Sequence, residues 1–238
     1  MRTRTSSRRV CLLTGAGGRL GSDFCRRYGA SYDIAAVCRR RRPDVADQDR
    51  HFVDPLRPTA GGQDVEVFTI DADLRRPGEA ERVVDVTLAR FGRVDLLVNA
   101  AAHVERERLT ALCESTSFLD DAMYVNATVP ALLAASLARA FWDGRREENL
   151  EHRRNVVNVS SGAGLGYVDS PGLAAYSASK VALNFLTCYQ AAELRGMGVR
   201  VNAIAPTTFP ELIPTETVTD QIVSVDAGDI NGQIIELL

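Results

Sequence analysis

Seven short apolar runs recur along the chain, and their alternation with longer segments limits the fold more than any other feature. The runs are VCLL from position 10, IAAVC from 34, VEVFTI from 65, VDLLVNA from 94, NVVNVS from 155, VRVNAIA from 199 and QIIELL from 233. Runs that are apolar throughout are typical of strands covered on both faces, and the helical patterns between them suit crossover helices. The sequence therefore predicts an α/β fold in which residues 1–238 form a single-domain, Rossmann-like, doubly wound parallel sheet flanked by helices.

Residues typical of helix beginnings and ends support this alternation. Pro77 precedes the helical pattern EAERVVDVTLARF, and Gly92 follows it as a C-cap. A second long helix is predicted over residues 174–195, before a glycine-rich stop. Three segments have neither period and are interpreted as irregular: residues 1–9 as a frayed tail, residues 39–62, and residues 143–154 as a solvated surface insertion.

Charge and cysteine usage exclude several classes of protein. The 28 basic and 31 acidic residues give a net charge of −3, so no global field attracts nucleic acid or an anionic membrane. No apolar stretch approaches the ~18 residues that a membrane span needs. The five cysteines are odd in number and never form a C-x-x-C pair, which argues against a disulfide framework and a structural zinc site. We therefore predict a cytoplasmic protein without a metal.

A glycine-rich turn follows the first predicted strand and opens a helix, in the order T14-G-A-G-G-R-L-G21. Gly15, Gly18 and Gly21 would let the backbone approach a pyrophosphate closely, and the helix N-terminus would supply unpaired N–H groups. Glycines also serve tight turns that hold no ligand. The strand before the turn and the helix after it favour the nucleotide-binding interpretation.

Four arginines, residues 39–42, follow the second predicted strand, where many NAD-binding folds place an acidic residue. Guanidinium groups bind a 2′-phosphate that a carboxylate would repel. NADP(H) is therefore favoured over NAD(H), which stays possible, with Arg39 as the main contact and Arg40 as a second. The alternative is that the run is simply a solvated loop.

Tyr176 and Lys180 form the pattern Y-S-A-S-K within the predicted long helix, and Lys180 is the single lysine beside 27 arginines. A spacing of four puts both side chains on one helix face. An ammonium beside a phenol is expected to lower the pKa of the tyrosine toward the range of a general acid/base. The alternative is an exposed helical pair. Upstream, Ser160 and Ser161 end a strand at the edge where open α/β sheets bind ligands.

These features together resemble the short-chain dehydrogenase/reductase family over nearly the whole chain. The motifs that carry the resemblance are the glycine turn, Asp73-Leu74, LVNAAA at 97–102, Asn126, NVSSG at 158–162, YSASK at 176–180 and VNAIAP at 201–206. The resemblance implies that Tyr176 is the proton donor or acceptor, that Lys180 tunes it and binds the nicotinamide ribose, and that Ser161, with Ser160 as the alternative, holds the substrate oxygen. It also implies that Asn126 anchors a relay water, whereas the residue pattern equally allows a satisfied core amide.

The resemblance further implies a set of cofactor-binding residues. They are Gly15, Gly18, Arg19, Leu20 and Gly21 at the pyrophosphate, Asp73 and Leu74 at the adenine, Asn99, Ala100 and Ala101 on the adenosine side, and Pro206, Thr207, Thr208 and Phe209 at the nicotinamide amide. Arg19 replaces the middle glycine of the family's usual turn. Residues 207–220 are a shortened form of the segment that usually covers the substrate.

The resulting hypothesis is an NADP(H)-dependent carbonyl reductase or alcohol dehydrogenase that acts on a small-molecule substrate, bulky or tethered to a carrier. Two alternatives stay open: a dinucleotide-binding sensor or scaffold without turnover, and a dehydratase or epimerase that uses bound NAD(P) transiently. The resemblance also implies a homodimer or homotetramer.

Overall fold

A computed structural model describes residues 8–45 and 67–238. Within them the chain forms one seven-stranded sheet in the order β3-β2-β1-β4-β5-β6-β7, and every neighbouring pair of strands is parallel. The strands are β1 (Arg9–Thr14), β2 (Tyr32–Cys38), β3 (Val67–Asp71), β4 (Leu96–Asn99), β5 (Asn155–Val159), β6 (Arg200–Pro206) and β7 (Ile234–Leu237). Each predicted apolar run supplies one strand, which confirms the predicted parallel, doubly wound sheet.

Helices connect the strands on both faces of the sheet. They are α1 (Arg19–Tyr28), α2 (Glu79–Phe91), α3 (Ser117–Met123), α4 (Val129–Leu137), α5 (Arg146–Glu151), α6 (Ala174–Leu194) and α7 (Thr215–Ala227). A π-helical turn at Tyr124–Thr128 joins α3 to α4, and a second one at Ala138–Trp142 extends α4 at its C-terminus. Helix α2 ends at Gly92, whose φ of +73° and N–H bond to the Leu88 carbonyl confirm the predicted C-cap.

Two apolar layers hold the sheet between the helices. On one face, Leu12 and Leu97 pack with side chains of α2, α4 and α6. On the other face, Leu13 and Val98 pack with α1 and α7. Alternate residues of each strand thus enter opposite layers, as the two-residue period of a strand requires. Covering both faces buries the parallel strands and leaves their carboxyl ends as the edge where a ligand can enter.

The first nine residues are not wholly a frayed tail. Arg9 begins β1, and its guanidinium makes a 2.8 Å ion pair with the buried Asp226 of α7. Arg8 pairs with Asp33 of β2 at 2.5 Å. Both arginines are held by carboxylates from distant parts of the chain, which the local composition did not reveal. Residues 1–7 lie outside the described residues.

The other segments predicted to be irregular have different outcomes. Residues 143–154 are mostly exposed, as the sequence predicted, but they form α5 rather than an irregular insertion, and Asn149 and Arg154 are fully buried. The Arg154 guanidinium stacks 4.3 Å from the Phe141 ring centroid and pairs with Glu148 at 2.5 Å. Residues 39–45 form neither helix nor strand, and residues 46–62 lie outside the described part of the chain. Helix α7 begins at Thr215, so the loop predicted over 207–220 ends at Pro214.

Candidate active site

A cleft of about 700 Å³ opens at the carboxyl ends of the central strands. The strand order reverses between β1 and β4, because β2 and β3 extend the sheet on one side and β5, β6 and β7 on the other, and the cleft lies at this point. Open α/β sheets bind their ligands at such a switch point. The loops after β1 to β4 line one end of the cleft, and Ser160, Tyr176, Lys180 and Phe209 line the other.

The glycine turn is built for close packing on one side and for ligand approach on the other. Gly15 has a φ of +69°, and a Cβ there would lie 2.7 Å from the Ala100 carbonyl oxygen. A Cβ on Gly21 would lie 2.5 Å from the Gly15 carbonyl oxygen. Gly18 precedes α1 without a capping side chain, so no side chain occupies the N–H groups of the first helical turn. The turn therefore fits a pyrophosphate, whose charge the helix N-terminus favours.

All five residues predicted at the pyrophosphate line the cleft: Gly15, Gly18, Arg19, Leu20 and Gly21. Sequence reasoning missed Gly17, at which a Cβ would stand 1.7 Å from the Arg41 carbonyl oxygen. The arginine-rich segment after β2 thus packs directly over the glycine turn. The signal was present in the run G-A-G-G, but only the fold shows which backbone approaches it.

Arginines dominate the adenosine end of the cleft. Arg39, Arg40 and Arg41 are exposed and line it, and Arg39 and Arg40 also line a second cavity of about 510 Å³ beside it. Asp73 and Leu74 lie in the cleft as predicted. Hydrogen bonds from Arg75 lower the pKa of Asp73 to about 2, so this carboxylate is ionised at neutral pH.

Tyr176 and Lys180 meet at the opposite end. The Lys180 Nζ lies 5.6 Å from the Tyr176 ring centroid and donates a 2.8 Å hydrogen bond to the Val159 carbonyl. Burial lowers the pKa of Lys180 to about 8. Gly164 lets the helix approach this closely, because a Cβ there would lie 2.9 Å from the Cβ of Lys180. Sequence reasoning missed this glycine.

The pKa of Tyr176 moves in the direction opposite to the prediction. Burial raises it, and a hydrogen bond with the Ser161 side chain opposes the rise, whereas no contribution from Lys180 is resolved. The prediction that the ammonium sets the pKa of Tyr176 was wrong. The spacing of two residues on a helix fixes their distance but does not indicate how deeply they are buried, and burial is the larger effect here. Ser161 therefore contacts the phenol, and its Oγ also accepts the Ala163 N–H at 3.2 Å.

Ser160 and Ser161 have different surroundings. Ser160 lines the cleft and is 3% exposed, and its Oγ has no hydrogen-bond partner among the described residues. Ser161 does not line the cleft, but its side chain lies close enough to Tyr176 to lower the pKa of the phenol. The hydrogen bond favours Ser161 as the partner of Tyr176, whereas Ser160 is a buried hydroxyl available to a ligand.

Asn126 is fully buried in a π-helical turn, and its amide is saturated. Its Oδ1 accepts the His103 N–H at 2.7 Å, and its Nδ2 donates to the His103 carbonyl and to the Ser179 Oγ, both at 2.9 Å. The side chain thus links the segment after β4 to α6. This agrees with the alternative that Asn126 is a buried amide whose hydrogen bonds are made within the protein. The relay role stays a prediction.

The remaining predicted cofactor contacts divide into two groups. Ala100, Ala101 and Phe209 line the cleft, and the first two donate their N–H groups to the Thr14 Oγ1 at 3.1 Å. The other predicted residues do not line it. Asn99 is buried and donates to Asn158 at 2.8 Å. Pro206 ends β6, the Thr207 N–H donates to the Leu237 carbonyl, and Thr208 follows in the next loop.

A doubly wound parallel sheet, a glycine turn at its switch point and a tyrosine–lysine pair in the same cleft define a dinucleotide-binding oxidoreductase. The family model described as short chain dehydrogenase matches residues 9–219. The chain belongs to the short-chain dehydrogenase/reductase family and is an NAD(P)-dependent oxidoreductase.

Individual relatives agree with this assignment. The chain is 32% identical to an A-factor type gamma-butyrolactone 1'-reductase (1S-forming) of Streptomyces virginiae, over 86% of this chain and 74% of that protein. It is 32% identical to the short-chain reductase protein NovJ of Streptomyces niveus, over 84% of this chain and 69% of that protein. The crystal structure of an oxidoreductase (short chain dehydrogenase/reductase) from Brucella ovis shares the fold, with a TM-score of 0.71, 24% identity, and coverage of 97% of this chain and 100% of that one.

Proposed function

We propose that the protein is an NADP(H)-dependent carbonyl reductase or alcohol dehydrogenase in which Tyr176 is the acid/base. The observation that carries the proposal is the meeting of Tyr176 and Lys180 at one end of a cleft whose other end is a glycine turn, with the Ser161 side chain beside Tyr176. Relatives named as reductases support the direction of carbonyl reduction. The nicotinamide supplies the hydride when it is bound.

Each residue has a defined task in this proposal. Tyr176 gives its phenolic proton to the substrate oxygen, which burial favours because it keeps the phenol protonated. Ser161 lies beside the phenol and, with substrate bound, would donate its single hydroxyl proton to the same substrate oxygen. One N–H of the Lys180 ammonium donates to the Val159 carbonyl, and the other two are available to the ribose hydroxyls.

Tyr176→Phe tests the proposed acid, because it removes the phenolic oxygen and keeps the ring. NADPH absorbance decay is followed with a panel of ketones, and NADPH binding is measured separately by fluorescence. We expect turnover to fall by about 10²- to 10⁴-fold while the dissociation constant for NADPH stays within about twofold. Turnover that survives the substitution would refute the role of Tyr176. Binding without turnover in the parent protein would favour a sensor.

Cofactor preference rests on the arginines at the adenosine end. Arg39 and Arg40 are exposed in the cleft, and the charge of Arg39 acts on Asp73, which supports a role for Arg39 at the proposed adenosine subsite. We expect Arg39→Ala to weaken NADPH binding by about tenfold or more and NADH binding by less than about twofold, because a charge-assisted hydrogen bond to the 2′-phosphate is lost. Arg146→Ala, on the exposed side of α5, is the matched control. Equal effects on both nucleotides would exclude the phosphate role.

We also propose a homodimer or homotetramer. Helix α6 exposes Val181, Phe185 and Tyr189 at four-residue intervals, and the two aromatic side chains are each 66% exposed. An apolar helix face of this kind suits pairing with the same face of a second copy. Phe185→Ser should lower the mass measured by light scattering, and an unchanged mass would place the interface elsewhere.

The compartment is proposed from the thiols. All five cysteines are free, and three of them are buried. This state supports a reducing compartment such as the cytoplasm. Separately, none of the helices in the described residues has the length and apolar character to cross a bilayer.

A further inference from the structure

The two ends of the cleft differ in their chemistry. Arg39, Arg40, Arg41 and Arg75 surround the adenosine end. Around the Tyr176 end, the segments that follow β4, β5 and β6 carry large apolar side chains exposed to solvent. We call these side chains the apolar rim: Val104, Leu109, Leu165, Tyr167, Val168 and Leu212. A charged group suits the first end and an apolar group the second.

The segments that carry the rim are joined to one another. The Glu107 N–H donates to the Gly172 carbonyl at 3.2 Å, and the Arg106 guanidinium donates to the Ser170 Oγ at 3.0 Å. These bonds join the segment after β4 to the one that precedes α6. A Cβ on Gly162 would lie 3.5 Å from the Thr207 side chain, so the segments after β5 and β6 are also in contact. The rim is therefore held on a connected frame.

Exposure of this kind is unusual for side chains of this size. Tyr167 is 90% exposed and Leu212 is 73% exposed. The Tyr167 hydroxyl is bonded to Asp169 at 3.2 Å, so its ring rather than its polar tip is the open surface. Large exposed apolar side chains beside a cleft are typical of a binding site. Four charged residues, 105–108, separate Val104 from Leu109, and one of them, Arg106, is engaged by Ser170.

Two segments run from the cleft to the rim. Ala102 and Phe209 line the cleft, and they lie two and three residues before Val104 and Leu212, respectively. The loop after β6 ends at Pro214, where α7 begins, so this segment is short. A substrate whose carbonyl reaches Tyr176 would therefore extend its remaining atoms over the rim.

We propose that the apolar rim binds a long aliphatic or aromatic chain attached to the substrate carbonyl, and so selects extended apolar ketones over small ones. This inference rests on the proposed function and specifies its substrate class. Burial of a methylene group is worth about a three- to fourfold gain in affinity. Because the chain stays bound in the transition state, the gain appears in kcat/KM.

The experiment measures kcat/KM with NADPH for unbranched methyl ketones from 2-butanone to 2-decanone. We expect kcat/KM to rise about threefold per added methylene over the part of the chain that the rim covers. Tyr167→Ser and Leu212→Ser should flatten this rise and lower the ratio of kcat/KM for the longest ketone to that for the shortest. Leu150→Ser is the matched control, because Leu150 is a half-exposed leucine on α5, which leads into the opposite, amino-terminal edge of the sheet.

The outcomes separate this proposal from the one that it extends. Turnover that is independent of chain length in the parent protein overturns the rim but leaves the reductase intact. Absence of turnover with every ketone contradicts the proposed function instead. A second copy of the chain would cover the rim if two results were found together: Tyr167→Ser has a lower mass than the parent by light scattering, and kcat/KM of the parent does not depend on ketone length. That pair of results would overturn the role of the rim in substrate binding. A flattened series in Leu150→Ser would overturn the assignment to these residues.

Discussion

Burial and the neighbouring Ser161 side chain act in opposite directions on the proton affinity of the proposed acid. Burial raises the pKa of the Tyr176 phenol, and the bond from Ser161 works against that rise. Ser161→Ala should therefore raise the pKa of Tyr176 further. We expect the limb of the pH profile for alcohol oxidation that reports the phenolate to move to higher pH, and kcat/KM to fall by about tenfold or more.

Ser161→Thr is the control, because it keeps the hydroxyl and should retain most of the parent's profile. A Ser161→Ala profile that moves to lower pH, or that coincides with the parent's, would contradict the hydrogen bond. The corresponding change at Ser160 distinguishes the two serines, since the Ser160 Oγ has no hydrogen-bond partner among the described residues and the change should not move the profile.

Burial of the Lys180 ammonium destabilises the folded protein, because the charged group loses its hydration. Its pKa in the folded protein is about 8, below the ordinary value of 10.5. The unfolded chain therefore binds the proton more tightly between these values, and the free energy of unfolding rises with pH across the window. Below pH 8 the full cost is present, and above about pH 10.5 it has gone.

Lys180→Met removes this titration and keeps an unbranched side chain. Relative to the variant, the parent protein should gain about 2 to 3 kcal/mol in free energy of unfolding between pH 7 and pH 10, as measured by urea denaturation of both proteins. Subtracting the free energy of unfolding of the variant from that of the parent at each pH removes the contribution of the other titrating groups, which both proteins share. A difference that is constant with pH would mean that the lysine is not desolvated.

At the scale of elements, the packing of the arginine segment on the glycine turn couples two parts of the nucleotide site. A methyl group on Gly17 would meet the Arg41 carbonyl at 1.7 Å, and a backbone atom cannot move aside as a flexible side chain can. Gly17→Ala should therefore push residues 39–42 away from the cleft. We expect NADPH affinity to fall by about tenfold and the free energy of unfolding to fall by about 1 to 3 kcal/mol.

Gly196→Ala is the matched control, because nothing lies within 4 Å of a Cβ built there and its φ is not in the left-handed region. Its free energy of unfolding should stay within about 0.5 kcal/mol of the parent's. If Gly17→Ala bound NADPH as tightly as the control, the arginine segment would not depend on this contact.

Helix α5 illustrates which elements a sequence pattern cannot place. The run of charges over 143–154 is typical of a solvated surface, yet Arg154 is buried between α5 and the Phe141 ring. Its Nε also lies 3.6 Å from the buried Asp95, which precedes β4. The partners are distant in sequence, and only the parallel packing of β4 beside β5 brings them together.

For the whole molecule, periodicity predicted all seven strands because parallel strands are apolar on both faces. The spacing of Tyr176 and Lys180 likewise predicted their meeting, since helix geometry alone fixes it. What the sequence could not provide depends on long-range packing. Burial set the direction of the Tyr176 pKa, and ion pairs with Asp33 and Asp226 ordered the beginning of β1. Pro206, Thr207 and Thr208 lie near the site without lining the cleft.

The cleft draws residues from both halves of the sheet, so a bound dinucleotide should stabilise the whole domain rather than one loop. The glycine turn follows β1, and Tyr176 lies in the helix after β5, so one ligand would contact both halves. NADPH at one hundred times its dissociation constant should add about 2.7 kcal/mol to the free energy of unfolding. For a domain of this size, the midpoint of thermal unfolding should rise by about 5 to 10 °C.

This thermal shift does not require turnover, so it tests the nucleotide site independently of the chemistry. Tyr176→Phe should keep the shift, because the phenolic oxygen is not needed for binding, whereas Arg39→Ala should reduce it for NADPH but not for NADH. No shift with either nucleotide would contradict the assignment of the cleft. A shift that is equal for both at the same concentration would leave the dinucleotide site in place and remove only the preference for the 2′-phosphate, because the arginines would then contribute nothing that NADH lacks.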